Sequence, residues 1–257
     1  MRKFCLTLYL TCVTLCASAQ LHFLSADSVV TWDNDAANLR NTALQASAHL
    51  RAQQISATLD ELPALQTAWE KQMQKGDAMY SAYNGARNFT LAAQLLALTA
   101  DAQYALAMEH LVYGPALEAA LSPTLNAEKI TAAQTLLNAV GTLYATQGDT
   151  VYVNLYTNST SLISHSEGEF QLDLITGMPF HERIKLRLSR TTNPQGLKIT
   201  FCLRLPYGEW NDETFPIYCN GHETPYRIEK GYAVITNTWH SGYEIYFDYP
   251  LPLLELQ

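Results

Sequence analysis

Two carboxylates on segments of helical period are the first residues of this chain that could do chemistry. Glu109 and Glu128 would serve a glycosidase if their carboxyl groups lay about 5–10 Å apart across one pocket. An active glycosidase using this pair is therefore one hypothesis. The alternative is that Glu109 and the adjacent His110 form the polar face of a helix. We favour the alternative, because a carboxylate without a partner does not make a hydrolase.

A second polar cluster, His165, Glu167 and Glu169, falls in a loop between two apolar runs. A metal site there would need ligands that converge on one point. Alternating polar residues more often form a solvated turn, and we favour that interpretation.

Aromatic residues are the better indication of a ligand. The chain has 15 tyrosines and four tryptophans. Flat rings can stack on the C–H faces of sugars, while nearby polar groups fix their orientation. The candidates for carbohydrate binding are Tyr207, Trp210, Trp239 and Tyr243. Ordinary packing in a β-sandwich core is the favoured alternative.

Only two of the five cysteines lie beyond the first 19 residues, namely Cys202 and Cys219. In an exported protein they could form one disulfide, and two half-buried thiols on strands are the equally weighted alternative. Two cysteines do not make a Cys-only metal cluster, which needs three or four ligands.

Residues 1–19 have the pattern of a signal peptide. Arg2 and Lys3 precede the apolar stretch Phe4–Cys16, and Ala17-Ser18-Ala19 supplies the small residues before cleavage. We therefore expect a secreted or periplasmic protein, with a lipid anchor on Cys16 as the less favoured alternative. The remaining chain has 14 basic and 24 acidic residues and no apolar run long enough to span a membrane. Its negative charge argues against nucleic acid as a partner but not against neutral sugars.

The apolar period changes near Gly148. Before it the period is helical, and residues 20–147 are predicted to form a helical domain. Helices are expected over Asn34–Leu59 and Ala64–Lys75, and Asp101 is predicted to cap another. A last helix is predicted from the apolar stripe Ile130, Ala133, Leu137, Val140 and Tyr144.

After Gly148 the period becomes two, and residues 148–257 are predicted to form an antiparallel β-sandwich. The clearest alternation runs through Ile199, Phe201, Leu203 and Leu205, with Cys202 and Arg204 among the polar positions between them. One face of each sheet is expected to be buried and the other to be wet or covered.

Four stretches resemble glycoside hydrolase families 127 and 146, the β-L-arabinofuranosidases and their neighbours. They are Leu98–Ala105 with Met108–Tyr113, then Leu143–Tyr156, then Phe201–Pro206 with Trp210 and Asn220-Gly221, and finally Gly231–Ile235 with Trp239 and Gly242. The resemblance implies an (α/α)6 helical barrel followed by a sandwich. Since the chain is short, we expect an α+β protein in two parts: a partial barrel-like helical bundle and an antiparallel β-sandwich.

The resemblance also implies a cysteine nucleophile, a zinc ion held by cysteines and a glutamate, and a carboxylic acid. The matching positions fall on Ala127–Ile130 and near Ser81–Tyr83, which hold no cysteine. We therefore expect no cofactor, because the zinc site is lost, and a truncated, divergent, non-catalytic member of the family. Its predicted role is accessory, binding an arabinose-containing glycan or another polysaccharide-degrading protein.

Overall fold

The computed structural model describes residues 21–23, 29–30, 56–76, 79, 82–121, 127–206, 208, 210 and 213–250. The predicted signal peptide and the predicted helix as far as residue 55 lie outside this part of the chain.

The helices occupy the middle of the sequence. A 3-10 turn at Leu59–Glu61 leads into α1, and a π-helical turn at Val112–Ala116 follows α3. The α-helices of the described residues are α1 (Leu62–Met73), α2 (Ala82–Thr99), α3 (Ala102–Leu111), α4 (Leu117–Leu121) and α5 (Ala127–Val140). The helix predicted over Ala64–Lys75 is confirmed by α1.

The predicted helix cap at Asp101 is also confirmed. Its backbone is extended, and its carboxylate accepts a hydrogen bond of 3.0 Å from the backbone N–H of Gln103. This bond satisfies one of the amide groups that the first turn of α3 leaves without a helical partner.

The apolar stripe predicted for α5 is exposed at Ile130 and Ala133, whereas Val140 packs against the core. The buried positions are instead Ala132, Thr135 and Ala139, while Ile130 is 56 % exposed. Small residues allow α5 to approach α2 closely: a Cβ added at Gly85 would lie 3.3 Å from Thr135 Oγ1. The extension of the stripe to Tyr144 was also wrong, because α5 ends at Val140 and Tyr144 begins a strand.

Thirteen strands are described. They are β1 (His22–Phe23), β2 (Val29–Val30), β3 (Tyr144–Gln147), β4 (Thr150–Val153), β5 (Ser159–His165), β6 (Gly168–Thr176), β7 (Arg183–Thr191), β8 (Leu197–Arg204), β9 (Tyr218–Cys219), β10 (His222–Glu223), β11 (Arg227–Glu229), β12 (Tyr232–Trp239) and β13 (Glu244–Asp248).

The strands form two sheets. The first has the order β1-β3-β4-β8-β12-β11, and the second has the order β10-β9-β13-β7-β6-β5-β2. The described pairs are antiparallel except for β4 and β8, which run parallel. The two short strands β1 and β2 come from the sequence before the helices, so the sheets include chain from both sides of the helical segment.

The inner faces of the sheets form one hydrophobic core. Phe170 of β6 and Phe201 of β8 meet edge to face between the sheets, with ring centroids 6.4 Å apart. Alternate residues of β6, β7 and β8 are fully buried, as the period of two predicts. The described part of the chain is therefore an α+β structure with a largely antiparallel sandwich. Within it, no helix is both long and apolar enough to cross a membrane.

Candidate functional site

Arg204, at the end of β8, is the centre of a buried polar network between the helices and the sandwich. Its side chain is fully buried. The guanidinium donates to the backbone oxygen of Asn154 at 2.6 Å, to the Tyr249 hydroxyl and to the Glu109 carboxylate of α3. Its carbon also lies 4.9 Å from the ring centroid of Tyr156 and 5.1 Å from that of Tyr249. A buried cation here has both an ion-pair partner and two aromatic faces.

Asn154 links this network to the end of the helical segment. Its side-chain amide donates to the backbone oxygen of Thr142 at 3.1 Å, and its side-chain oxygen accepts from the Tyr232 hydroxyl at 2.8 Å. Both polar ends of a fully buried side chain are thereby satisfied.

Two tyrosines fasten the backbone around Arg204. The Tyr156 hydroxyl donates to the backbone oxygen of Arg204 at 2.6 Å, and the Tyr113 hydroxyl donates to that of Tyr156 at 2.6 Å. Since Tyr113 follows α3, this second bond ties the helices to the chain between β4 and β5.

The electrostatics of the network follow from burial and pairing. Burial disfavours the Arg204 cation, but the Glu109 carboxylate and the neighbouring tyrosine oxygens more than offset it, so the pKa of Arg204 is raised. Burial also raises the pKa of Tyr113 to about 12. The network is therefore a fixed ion pair surrounded by neutral tyrosines.

A close backbone contact completes the junction. The N–H of Ala102 donates to the backbone oxygen of Lys230 at 2.9 Å, and the Lys230 ammonium donates to the backbone oxygen of Thr99 at 2.7 Å. Gly231 has a φ of +79°, and a Cβ there would lie 2.8 Å from the Cβ of Ala102. Only glycine combines this conformation with this approach.

The residues of the junction belong to the stretches that carry the family resemblance. Glu109, Asn154, Arg204 and Gly231 each come from a different one of the four stretches. The shared motifs of this chain therefore hold the helices against the sandwich.

The same network contains Glu109, the first carboxylate candidate. Its side chain is only 13 % exposed, and its carboxylate accepts from Arg204 and, at 3.3 Å, from Tyr249. Both oxygens of this carboxylate are therefore already bonded, one to a buried guanidinium and the other to a tyrosine hydroxyl. Glu128 lies on α5, but its side chain is outside the described part, so the pair stays a prediction.

The cysteines lie on strands of opposite sheets, Cys202 on β8 and Cys219 on β9. Both are buried free thiols, so the disulfide alternative is not formed in this structure. Burial raises the pKa of Cys202 to about 12 and also raises that of Cys219. A thiol with a raised pKa is a poor nucleophile and a poor metal ligand near neutral pH.

The loop cluster around His165 is held by hydrogen bonds. Nδ1 of His165 accepts from the backbone N–H of Glu167 at 3.1 Å, and Nε2 lies 3.1 Å from both the backbone oxygen of Lys198 and the Asp149 carboxylate. The cluster therefore fixes a turn. Among the described residues, no group of three or more His, Cys, Asp and Glu side chains could hold a metal ion.

Three of the four aromatic candidates lie in the described part of the chain, and two of these, Trp239 and Tyr243, meet edge to face with ring centroids 6.4 Å apart. Trp239 is fully buried, and its indole N–H donates to the backbone oxygen of Ile199 at 2.9 Å, so its faces cannot stack on a sugar. Trp210 is half-buried against Phe215 and donates to the backbone oxygen of Pro206 at 3.0 Å. Tyr243 is half-buried beside His240, and Tyr207 lies outside the described residues.

A second aromatic pair was not among the candidates. Tyr218 of β9 and Tyr246 of β13 stack with centroids 5.1 Å apart and an interplanar angle of 11°, and the Arg183 guanidinium carbon lies 5.3 Å from the Tyr246 centroid. The alternation of β13 does place Tyr246 outward with Glu244 and Asp248. The two-residue strand of Tyr218 gave no comparable signal.

Comparison with known protein families gives a match within the sandwich. Residues 150–251 match the sequence model of the GH127 middle domain of β-L-arabinofuranosidases. No curated protein sequence shows significant similarity to the chain.

Solved structures with a similar fold include three described as glycoside hydrolases or arabinofuranosidases. The GH127 β-arabinofuranosidase BT3674 is 20 % identical with a TM-score of 0.55, covering 66 % of this chain and 32 % of its own. A second structure, described as a glycoside hydrolase, is 19 % identical with a TM-score of 0.56, covering 67 % of this chain and 33 % of its own. Ara127N-Se, a GH127 β-L-arabinofuranosidase from Geobacillus stearothermophilus T6, is 18 % identical with a TM-score of 0.55, covering 67 % and 32 %.

These identities are low, so the structural matches establish the fold alone, and the chain spans about a third of the length of each structure. Residues 150–251 of this chain therefore resemble the GH127 middle domain in sequence, and the chain resembles GH127 β-L-arabinofuranosidases in fold.

Proposed function

We propose that the chain is an exported, non-catalytic relative of the β-L-arabinofuranosidases that binds arabinose-containing glycan as an accessory protein in plant polysaccharide breakdown. The sandwich is the binding part, and the helices are the remnant of an (α/α)6 barrel. The match of residues 150–251 to the GH127 middle domain supports the carbohydrate class of the ligand.

The observation that supports the non-catalytic part of the proposal is the ion pair between Glu109 and Arg204. Its carboxylate neutralises Arg204, whose side chain is fully buried. Using Glu109 as a proton donor would leave that guanidinium without its counter-ion inside the protein, which is costly. Glu109 therefore acts as a structural group.

The zinc and thiolate chemistry implied by the family does not fit the described residues. The two described cysteines lie on different sheets as buried neutral thiols. The positions expected for the metal ligands, Ala127–Ile130 and Ser81–Tyr83, contain no cysteine. The proposed function therefore involves no metal ion and no cysteine nucleophile.

The sequence of residues 1–19 supports export of the chain to the periplasm or the exterior. Such a location suits a protein that meets plant polysaccharide, and a lipid anchor at Cys16 is the less favoured form.

A paired assay tests the proposal on the mature chain. Binding is measured on a glycan array that includes arabinan and arabinoxylan, and sugar release is measured with a β-L-arabinofuranoside. We expect binding to an arabinose-containing glycan and no release of arabinose. Release that is lost in a folded Glu109→Gln variant would instead assign the chain to the active glycosidases that use Glu109 and Glu128.

A further inference from the structure

The outward face of the second sheet carries two parallel rows of side chains that cross its strands. The strand register places Ile175, Lys185, Tyr246 and Tyr218 side by side on β6, β7, β13 and β9. We call these four residues the aromatic row. Neighbouring strands lie about 4.8 Å apart, so the row is about 14 Å long.

The second row lies two residues along each strand, about 7 Å from the first. The register aligns Thr160, Asp173, Arg187 and Glu244 on β5, β6, β7 and β13. We call these four residues the polar row. The two rings and the isoleucine of the first row, beside the hydrogen-bonding groups of the second, match a polysaccharide, which presents C–H faces and hydroxyl groups along its length.

The polar groups of this face are already held in place. The Thr160 hydroxyl donates to Asp173 at 3.0 Å, and the Lys185 ammonium donates to Glu244 at 3.1 Å. The stacked rings of Tyr218 and Tyr246 restrict each other. Side chains fixed before binding lose little conformational entropy when a ligand arrives.

The charges of the two rows balance, and this favours a neutral ligand. Lys185 and Arg187 are opposed by Asp173 and Glu244, and the neighbouring ion pair of Arg183 and Asp248 is also neutral. A nucleic acid or an acidic polysaccharide would gain little from such a face on a chain of net charge −8. Neutral sugar hydroxyls can bond to both the donors and the acceptors.

We propose that this face is the glycan-binding surface of the chain. The inference rests on the proposed function and adds a site to it: a neutral polysaccharide lies across β9, β13, β7 and β6, against the aromatic row, with its hydroxyl groups on the polar row.

The test compares matched variants by affinity electrophoresis in gels that contain arabinan or arabinoxylan. Tyr246→Ala is expected to weaken binding about tenfold, because it removes one of the two stacked rings of the row. Ile175→Ala should weaken it about threefold, the scale of a small loss of apolar contact. The control is Ile228→Ala on the first sheet, since Ile175 and Ile228 are 44 % and 43 % exposed. It should leave binding unchanged.

Folding is checked by thermal unfolding, and Tyr246→Phe keeps the stacked ring if Tyr246→Ala is unstable. This variant should retain most of the affinity. No binding by the unmodified chain would overturn both the proposed function and this surface. Binding that persists in folded Tyr246→Ala and Ile175→Ala, or that is lost only in Tyr243→Ala, would overturn the surface alone.

A second copy of the chain is the competing occupant of this face. Analytical ultracentrifugation distinguishes a second copy from a polysaccharide as the occupant. A dimer that dissociates in Tyr246→Ala, with glycan affinity unchanged, would assign the face to self-association and contradict the proposal.

Discussion

The junction between helices and sandwich and the outward face of the second sheet use the same residue types in opposite ways. At the junction, Arg204, Glu109 and Tyr249 are buried and bonded to each other. On the outward face, Arg183 and Asp248 form an ion pair in which both side chains are more than half exposed. Burial makes the first group costly to change, whereas exposure leaves the second free to meet a ligand.

The residues that carry the family resemblance and the residues that could meet a ligand therefore lie in different parts of the molecule. The motifs that relate the chain to the β-L-arabinofuranosidases supply the junction, so they report on how the molecule is held together. A function for the chain is better sought where side chains are ordered but accessible, as on the outward face.

The largest expected effect is on the free energy of unfolding, when the buried ion pair of the junction is broken and compared with the exposed pair of the outward face. Glu109→Ala should lower the free energy of unfolding by about 3–5 kcal/mol, because it leaves the buried Arg204 cation without a partner. Asp248→Ala should lower it by less than about 1 kcal/mol, because its pair with Arg183 is exposed to solvent. Urea unfolding measures both. Equal losses would show that the junction pair is no more buried in solution than the surface pair.

The second-largest effect is expected at alkaline pH, where the free energy of unfolding should fall because the junction is destabilised. Burial raises the pKa of Tyr113 to about 12 from an ordinary value of 10.0. Because the folded-state pKa is the higher one, this stabilisation is complete below pH 10 and is lost as the pH rises towards 12. The loss is about 3 kcal/mol for a shift of this size. Unfolding curves at pH 9 to 12, with tyrosine ionisation followed by absorbance, measure it. A constant stability would contradict the buried setting of Tyr113.

A smaller effect tests the close contact at Gly231. Gly231→Ala should cost about 2–3 kcal/mol, since strain at positive φ adds to the clash with Ala102. Gly242→Ala is the matched control, because its φ is +88° and no atom lies within 4 Å of the added Cβ. It should cost about 1 kcal/mol from strain alone. Thermal or urea unfolding of both variants measures the two losses, and their difference gives the contribution of the contact with Ala102. Equal losses would contradict the contact.

The smallest effect concerns the cysteines. Reducing agent should leave the melting temperature unchanged, since Cys202 and Cys219 are free thiols. Alkylation by iodoacetamide at pH 8 should be slow in the folded chain and fast after unfolding, because burial raises the pKa of Cys202 to about 12. A mass shift of two hydrogens on reduction would instead reveal a disulfide.

The sandwich could be predicted from the sequence because its long strands alternate. β6, β7 and β13 bury every second residue over most of their length, and β8 does so as far as Phe201. The short strands β1 and β2 could not be predicted, since two residues define no period. The buried face of α5 was missed because Ala132 and Ala139 are less apolar than Ile130, yet they allow closer packing.

The site was harder to predict than the fold. Arg204 and Glu109 are 95 positions apart, and no local pattern joins them. Alternation placed Arg204 among polar positions, which concealed that the helices cover it. Trp239 looked available for a sugar because a sequence does not show which sheet face an aromatic residue occupies. The aromatic row needs the register of four strands, which only the structure supplies.

Isothermal titration of the mature chain with soluble arabinan tests the central claim most directly, because binding and turnover give different heat signals. We predict saturable heats that return to baseline after each injection, with affinity reduced about tenfold in Tyr246→Ala. A continuous heat flow from hydrolysis, abolished in Glu109→Gln, would contradict the account.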